Sequence, residues 1–541
     1  MLPIVAVLAA LGSILIFQNC GPNPPSTAPP ACSLSAPAQA GRVQTSHAIY
    51  DGNLNAGIYS FKKIAYAAPP VGGLRWQAPQ DPSCQSEPVQ ASTFPPACPQ
   101  KETQDDVAVF VGNEDCLYLN VWAPQDMTQS RPVLVFIHGG GNQQGSTAHQ
   151  VFGAYLHDGQ KMAEKTNAVV VTLQYRVGAL GYLVDEALAS ASGNLGNYGL
   201  RDQNKALRWI QNNISRFGGD PARVLLFGES AGAVNTCMQV ASPRSAGLFS
   251  AAAIESGACL VNSLSRAQQT AQDFLTKVGC TQGDAGQRAT CLRNLSSEAI
   301  VNNSLSDGGP LDGGVVNTPW GPVVDNVGDT AQRFLPEEPL SLMAKGLHNK
   351  VPVIVGSNGQ EMMPLVPRQV TELMVRALAK QFEPYDDDLL KLYNDADPKV
   401  NYEAMATDSQ FTCNARRSLR ALRQGQSPAL YQYVFNQPLP GVASFGAFHG
   451  AELFFLFQKL DEITTKSQVV QADRDLASRM LNLWLNFATT KNPNGPLTTG
   501  LNWDLFGTAE NYLEFSHSSK KGTLFRKEKC DLWDTIQENL R

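Results

Sequence analysis

Arg223-Val-Leu-Leu-Phe-Gly-Glu-Ser-Ala-Gly-Ala233 is the stretch on which the reading of this chain turns. The apolar run Val224–Phe227 meets Gly228-Glu-Ser-Ala-Gly232 and then helix-forming residues, so a strand, a sharp turn and a helix are expected. A G-x-S-x-G turn in that setting is a nucleophile elbow, whose serine takes a strained backbone conformation. Gly228 and Gly232 suit it because a Cβ at either place would meet the neighbouring strand or helix. The turn lifts the Oγ of Ser230 clear of the sheet and aims the first amides of the helix at it. Ser230 is the candidate nucleophile.

A nucleophilic serine needs donors for the oxyanion, a base and an acid. Pro132-Val-Leu-Val-Phe-Ile-His138 is a continuous apolar run, as for a strand buried on both faces. It breaks into Gly139-Gly140-Gly141, where backbone amides can approach a developing oxyanion without side-chain interference. Losing one such donor costs about 10²–10³ in turnover.

The base is sought among His47, His138, His149, His157, His348, His449 and His517. In this strand–turn–helix architecture the order is nucleophile, acid, histidine, which excludes the first four. His348 stands in a polar lead-in to a strand and is expected at the surface, and His517 lies among serines and lysines in a solvated segment. His449, in Ser444-Phe-Gly-Ala-Phe-His-Gly-Ala-Glu452, belongs to a loop of small and aromatic residues suited to lining a pocket. The acid should follow a strand between Ser230 and His449. Glu361, just past Val351–Val355, is the first candidate to fix the imidazole tautomer and stabilise the imidazolium. Asp325, after Pro322-Val-Val324, is the second.

These residues lie in a chain that resembles the type-B carboxylesterase and cholinesterase family of α/β-hydrolases. The matching blocks include Tyr66-Ala-Ala-Pro-Pro-Val-Gly-Gly-Leu-Arg75, Glu114-Asp-Cys-Leu-Tyr-Leu-Asn-Val121, Gln174-Tyr-Arg-Val-Gly178, Gly199-Leu-Arg-Asp-Gln203, Phe217-Gly-Gly-Asp-Pro221, the elbow, Glu255-Ser-Gly257 and His449-Gly-Ala-Glu452. The resemblance implies an α/β fold with a large, mostly parallel central sheet, helices on both faces and long loop insertions. It places the triad on Ser230, Glu361 and His449, and the oxyanion donors on the amides of Gly140, Gly141 and Ala231. Glu229 corresponds to a glutamate that orders the active-site hydrogen bonds, and Ser256 to a serine that supports the acid and histidine. Four positions depart from the family pattern. Asn142 stands where a bulky aromatic is usual, Lys63 and Ala65 replace residues of Gly-Ile-Pro-Tyr, Met362 follows the acid in place of glycine, and Glu255 replaces a common glutamine.

Composition agrees with an enzyme of this kind. Apolar residues make up 43% and charged residues 17% of 541, enough to bury a large core. A net charge of −6 with no basic cluster argues against nucleic-acid binding. No phosphate loop and no Cys/His set with zinc spacing is visible, so neither cofactor nor metal is expected. The 11 cysteines are too many for a reduced cytosolic enzyme of this length. The resemblance pairs Cys98 with Cys116, Cys280 with Cys291 and Cys413 with Cys530. Cys32 and Cys84 form a fourth candidate pair. Cys237 and Cys259 are expected as buried free thiols, with a bridge between them the alternative.

Leu2–Phe17 is an apolar run too short for a comfortable membrane span, and it ends at Asn19-Cys20-Gly21. It reads as a signal over residues 1–20 of lipoprotein type, with Cys20 the lipidated first residue and a membrane attachment. An ordinary signal peptide or anchor is the alternative. A Pro/Ala/Ser-rich linker over 21–45 then leads to a single catalytic domain over 46–541. Two function classes follow: a secreted or envelope-anchored serine esterase acting on small-molecule esters, and a cholinesterase-like binding protein without activity. The presence of all three triad residues separates them in favour of the enzyme. Within the enzyme class, choline esters would need an indole face for the quaternary ammonium, and the loop Pro99–Asp115 holds no tryptophan. Acyl specificity and oligomeric state are not written in the sequence.

Overall fold

The computed structural model describes residues 32, 34 and 39–539, apart from 105–106, 191–192, 305–310, 313–314, 317–318 and 498. The expected leader, Cys20 and most of the linker lie outside the described residues. Eleven strands form one sheet: β1 (Asn53–Asn55), β2 (Ile58–Ala65), β3 (Tyr118–Pro124), β4 (Arg131–Ile137), β5 (Val169–Leu173), β6 (Gly219–Glu229), β7 (Ala251–Glu255), β8 (Val353–Asn358), β9 (Leu430–Phe435), β10 (Asn511–Phe515) and β11 (Lys520–Thr523). Their order is β1-β2-β3-β5-β4-β6-β7-β8-β9-β10-β11. From β5 to β10 all neighbours run parallel, while β1, β2, β3 and β11 join antiparallel at the two edges.

The continuous apolar runs behave as strands covered on both faces. Within β4, Val133, Val135 and Ile137 join one core with Leu207 and Ile210 of α1 (Tyr198–Asn213) and Met238 and Val240 of α2 (Ala231–Ala241). The intervening Leu134 and Phe136 join a second core with Leu476, Met480 and Trp484 of α5 (Gln471–Thr490). Two more helices, α3 (Cys413–Gln424) and α4 (Ala451–Leu456), lie between α2 and α5 in the chain. Each fully buried aliphatic side chain contributes about 1.5–3 kcal/mol, so the two cores dominate the fold's stability. Because β4, β6, β7 and β8 are parallel neighbours, Ile137, Glu229, Glu255 and Asn358 all end at the same edge of the sheet. Ligands of open α/β sheets bind at that carboxyl edge.

Among the described residues five disulfides are formed. Cys98–Cys116, Cys280–Cys291, Cys413–Cys530 and Cys32–Cys84 are bonded. Cys237–Cys259 is bonded too, which corrects the expectation of free thiols. Both residues are buried, and α2 packs so closely on the segment after β7 that their Cα atoms lie 5.6 Å apart, within reach of a bridge. His348 likewise departs from expectation. It is buried, with Nε2 2.7 Å from the Ser427 hydroxyl, and burial lowers its pKa to about 4. The polar residues around it in sequence hide a side chain that turns inward.

Candidate active site

Ser230 links β6 to α2 with φ 58° and ψ −125°, a conformation that L-residues rarely adopt and that costs about 1–3 kcal/mol. Its surroundings hold it there. The Ser230 amide donates to Glu255 O at 2.9 Å, and its carbonyl accepts from Ala233 and Val234. A Cβ on Gly232 would lie 2.0 Å from Ile137 O, and one on Gly228 would lie 2.5 Å from Gly232 O. Glycine at both places lets α2 approach β4 and β6.

The Gly139–Gly141 turn sits directly over this elbow: a Cβ on Gly139 would come within 2.9 Å of Ser230 Cβ and of the Glu229 carbonyl. Gly140 has φ +105° and Gly141 φ +64°. Among the described residues neither amide donates to a protein acceptor. Ala231 is the first residue of α2, where amides have no intrahelical partner. The three candidate donors therefore lie on two elements that meet at Ser230.

His449 and Glu361 are brought together. The His449 Nδ1 is 2.8 Å from Glu361 Oε2, and the His449 amide donates to the Glu361 carbonyl at 3.1 Å. Glu361 is fully buried, and its Oε1 accepts from the Asn358 amide at 2.6 Å. The second acid candidate is committed elsewhere. Asp325 accepts from the amides of Phe334 at 2.7 Å and Leu335 at 2.5 Å, and pairs with Arg201 at 3.1 Å. Glu229 lies against the other ring nitrogen of His449, Oε1 to Nε2 at 3.2 Å. Ser256 is buried, with φ 53° and a hydroxyl that has no hydrogen-bond partner among the described residues.

Glu255, Glu452 and Asn358 extend the cluster. Glu255 Oε1 accepts from Trp484 Nε1 at 2.7 Å, while its Oε2 has no partner among the described residues. Asn358 Nδ2 donates to Phe448 O at 2.7 Å and to the Glu452 carboxylate. Burial opposes protonation of His449, but the charge of Glu229 and the hydrogen bond that His449 donates to Glu361 outweigh it and raise its pKa to about 10. Burial raises Glu229 to about 7, against the pull of His449 and with the repulsion of Glu361. Burial, then Glu229 and Glu361, raise Glu452 to about 8. Burial and Glu452 also hold Glu255 well above the carboxylate range. These surroundings favour the protonated imidazole, and burial favours the protonated forms of Glu229, Glu255 and Glu452.

Sequence reasoning assigned no role to Glu452, Asn358 or Phe411, whose ring centroid lies 4.8 Å from that of His449. Asn358 carried a signal, standing at a strand end three residues before Glu361. Phe411, in a π-helical turn just before α3, carried none. Asn142, at the position where the family pattern has a bulky aromatic, turns inward. It is buried, and its Oδ1 accepts from Asn235 Nδ2 at 2.8 Å and Tyr182 OH at 3.1 Å. Among the described residues no group of three or more His, Cys, Asp or Glu side chains could hold a metal ion.

Comparison with known proteins bears on this geometry. The model of the carboxylesterase family matches residues 35–533. Human (Homo sapiens) cocaine esterase is 32% identical over 527 residues, covering 88% of this chain and 87% of that protein. Para-nitrobenzyl esterase of Bacillus subtilis (strain 168) is 30% identical over 475 residues, covering 86% and 92%. A solved PNB esterase structure superposes with a TM-score of 0.78 at 28% identity, covering 92% of this chain and 100% of its own.

Proposed function

The chain belongs to the carboxylesterase family and is a carboxylic ester hydrolase, and from that premise we propose that it works through an acyl-enzyme on Ser230. His449 takes the Ser230 proton as Oγ attacks the ester carbonyl, and the amides of Gly140, Gly141 and Ala231 hold the oxyanion. Glu361 fixes the His449 tautomer through Nδ1 and stabilises the imidazolium. His449 then protonates the leaving alcohol, and water repeats the sequence to release the acid. The observation that carries this reading is the 2.8 Å contact between His449 and the buried Glu361 at the edge of the sheet where Ser230 projects. A fluorophosphonate probe should label Ser230, and Ser230→Ala should abolish both labelling and turnover. Full activity in that variant would end the proposal.

General carboxylic esters are favoured over choline esters. Gln100–Gln104 and Val107–Val111, inside the Cys98–Cys116 loop, pair as an antiparallel hairpin, and that loop holds no tryptophan to face a quaternary ammonium. The five disulfides are compatible with a secreted protein, and among the described residues no helix is long and apolar enough to cross a membrane. We place the enzyme in the cell envelope, tethered through a lipidated Cys20 and the linker to a single catalytic domain. Mass spectrometry of the mature N-terminus tests this: a diacylated Cys20 supports it, and an unmodified chain starting near Ala40 overturns it.

A further inference from the structure

Asn142 follows Gly141 directly and adopts φ 57°. Its backbone carbonyl accepts from the Gly178 amide at 2.6 Å, which pins the residue's main chain. Its side chain does not reach outward. Oδ1 accepts from Asn235 Nδ2 at 2.8 Å and from Tyr182 OH at 3.1 Å, and the Tyr182 hydroxyl also lies 3.5 Å from Asn235 Oδ1. All three side chains are buried. Next to them, Tyr175 OH donates to His138 O at 2.8 Å, fastening the strand end from which the glycine turn departs.

Asn235 stands one turn along α2 from Ala231. The Asn142–Asn235 bond therefore ties the turn carrying two of the candidate oxyanion donors to the helix carrying the third. Such a tie matters because the turn is built from Gly139, Gly140 and Gly141, and glycine has the most conformational freedom to lose. Donors act on an oxyanion only when they are already fixed where its charge develops. A large apolar side chain at this position would hold the turn by packing. In this chain the anchor is a buried amide bonded to amide and phenol.

We propose that Asn142 is a positioning residue for the oxyanion hole, holding Gly140 and Gly141 in register with Ala231 through Asn235 and Tyr182. The proposal rests on the reading of those three amides as the oxyanion donors. It is tested with Asn142→Ala, Asn235→Ala and the double variant, each normalised to active sites titrated by a fluorophosphonate. Three quantities are read: kcat and KM on a p-nitrophenyl ester, Ki of a trifluoromethyl ketone that adds to the serine as an oxyanion, and Tm. Each single variant should lose about 10² in kcat, keep KM within about threefold, and bind the ketone more weakly by a similar factor. The double variant should be no worse than the worse single one, because both break one link. Tyr182→Phe removes a single donor and should move kcat and Ki the same way by less, which keeps the test open if Asn142→Ala does not fold. A fall in Tm with kcat per titrated site and Ki unchanged would overturn the proposal, leaving the network a role in folding alone. Fully additive losses would overturn it too. Failure of the underlying reading looks different: Ser230→Ala would stay active, or the ketone would not inhibit the unaltered enzyme.

Discussion

Oε1 of Glu229 lies 3.2 Å from Nε2 of His449, the ring nitrogen that the proposed reaction offers to Ser230. The ring is thus held between two carboxylates, Glu361 at Nδ1 and Glu229 at Nε2. Glu229 is the residue immediately before the candidate nucleophile, so the elbow itself delivers this second charge. In the proposed reaction this arrangement would stabilise the imidazolium formed when Ser230 gives up its proton. It also makes the neutral imidazole, the form that acts as base, dependent on pH.

A base works when neutral, and the pKa of His449 is raised to about 10 with Glu229 as a leading cause. The acid limb of kcat/KM should therefore lie on the alkaline side of an ordinary histidine. Glu229→Gln removes the charge and should move that limb to lower pH by at least about one unit. A pH–rate profile from pH 5 to 10 reads the shift directly. A limb that stays in place or moves upward would mean that Glu229 does not act on His449.

Glu361→Gln should lower kcat by about 10⁴, because a glutamine cannot stabilise the imidazolium and favours the wrong tautomer. Asp325→Asn should instead lower Tm with kcat nearly unchanged, since the Asp325 carboxylate is committed to Phe334, Leu335 and Arg201. Measuring both quantities for both variants decides the assignment. The reverse pattern would move the acid role to Asp325.

The features that could be read from sequence are those with local causes. A seven-residue run rich in β-branched and aromatic residues that breaks into glycines favours a covered strand leading into an open turn, so β4 and the Gly139–Gly141 turn are legible. The elbow requires glycine because a Cβ on Gly232 would lie 2.0 Å from Ile137 O, and Glu361 follows its strand end by three residues. The features that could not be read depend on packing between distant segments. Asn142 meets a helix 93 residues away, and His449 turns Nε2 toward a carboxylate on β6. Cys237 reaches Cys259 only because α2 settles on the segment after β7. His348 sits among polar neighbours, yet it is buried against Ser427, 79 positions on.

Glu255, where the family commonly has glutamine, should make stability fall toward alkaline pH. Burial holds its pKa above the unfolded value, so its contribution is fully present below about pH 4.3 and is lost as pH rises through the folded value. Glu255→Gln has no proton to lose and can still accept from Trp484 Nε1. The Tm difference between the variant and the unaltered enzyme should be smallest near pH 4 and should grow in the variant's favour toward pH 9.5. Parallel Tm–pH curves for the two proteins would refute this.

The Cys237–Cys259 bridge should carry stability that the proposed chemistry does not use. It joins the middle of α2 to the segment after β7, closing a loop of 22 residues. Closing a loop of that length restricts the unfolded chain by about 3 kcal/mol in the chain-entropy model. The same segment is already fitted to the elbow: a Cβ on Gly257 would lie 2.5 Å from Ala233 Cβ and 2.8 Å from Ser230 O. Close packing of that kind, with the Ser230 amide bonded to Glu255 O, should keep the elbow in place once the bridge is gone. The double variant Cys237→Ala/Cys259→Ala should therefore show a lower denaturation midpoint and faster thermal inactivation, while kcat per titrated site at 25 °C stays within about threefold. A collapse of kcat in folded protein at that temperature would instead make the bridge part of what holds Ser230 in its strained conformation.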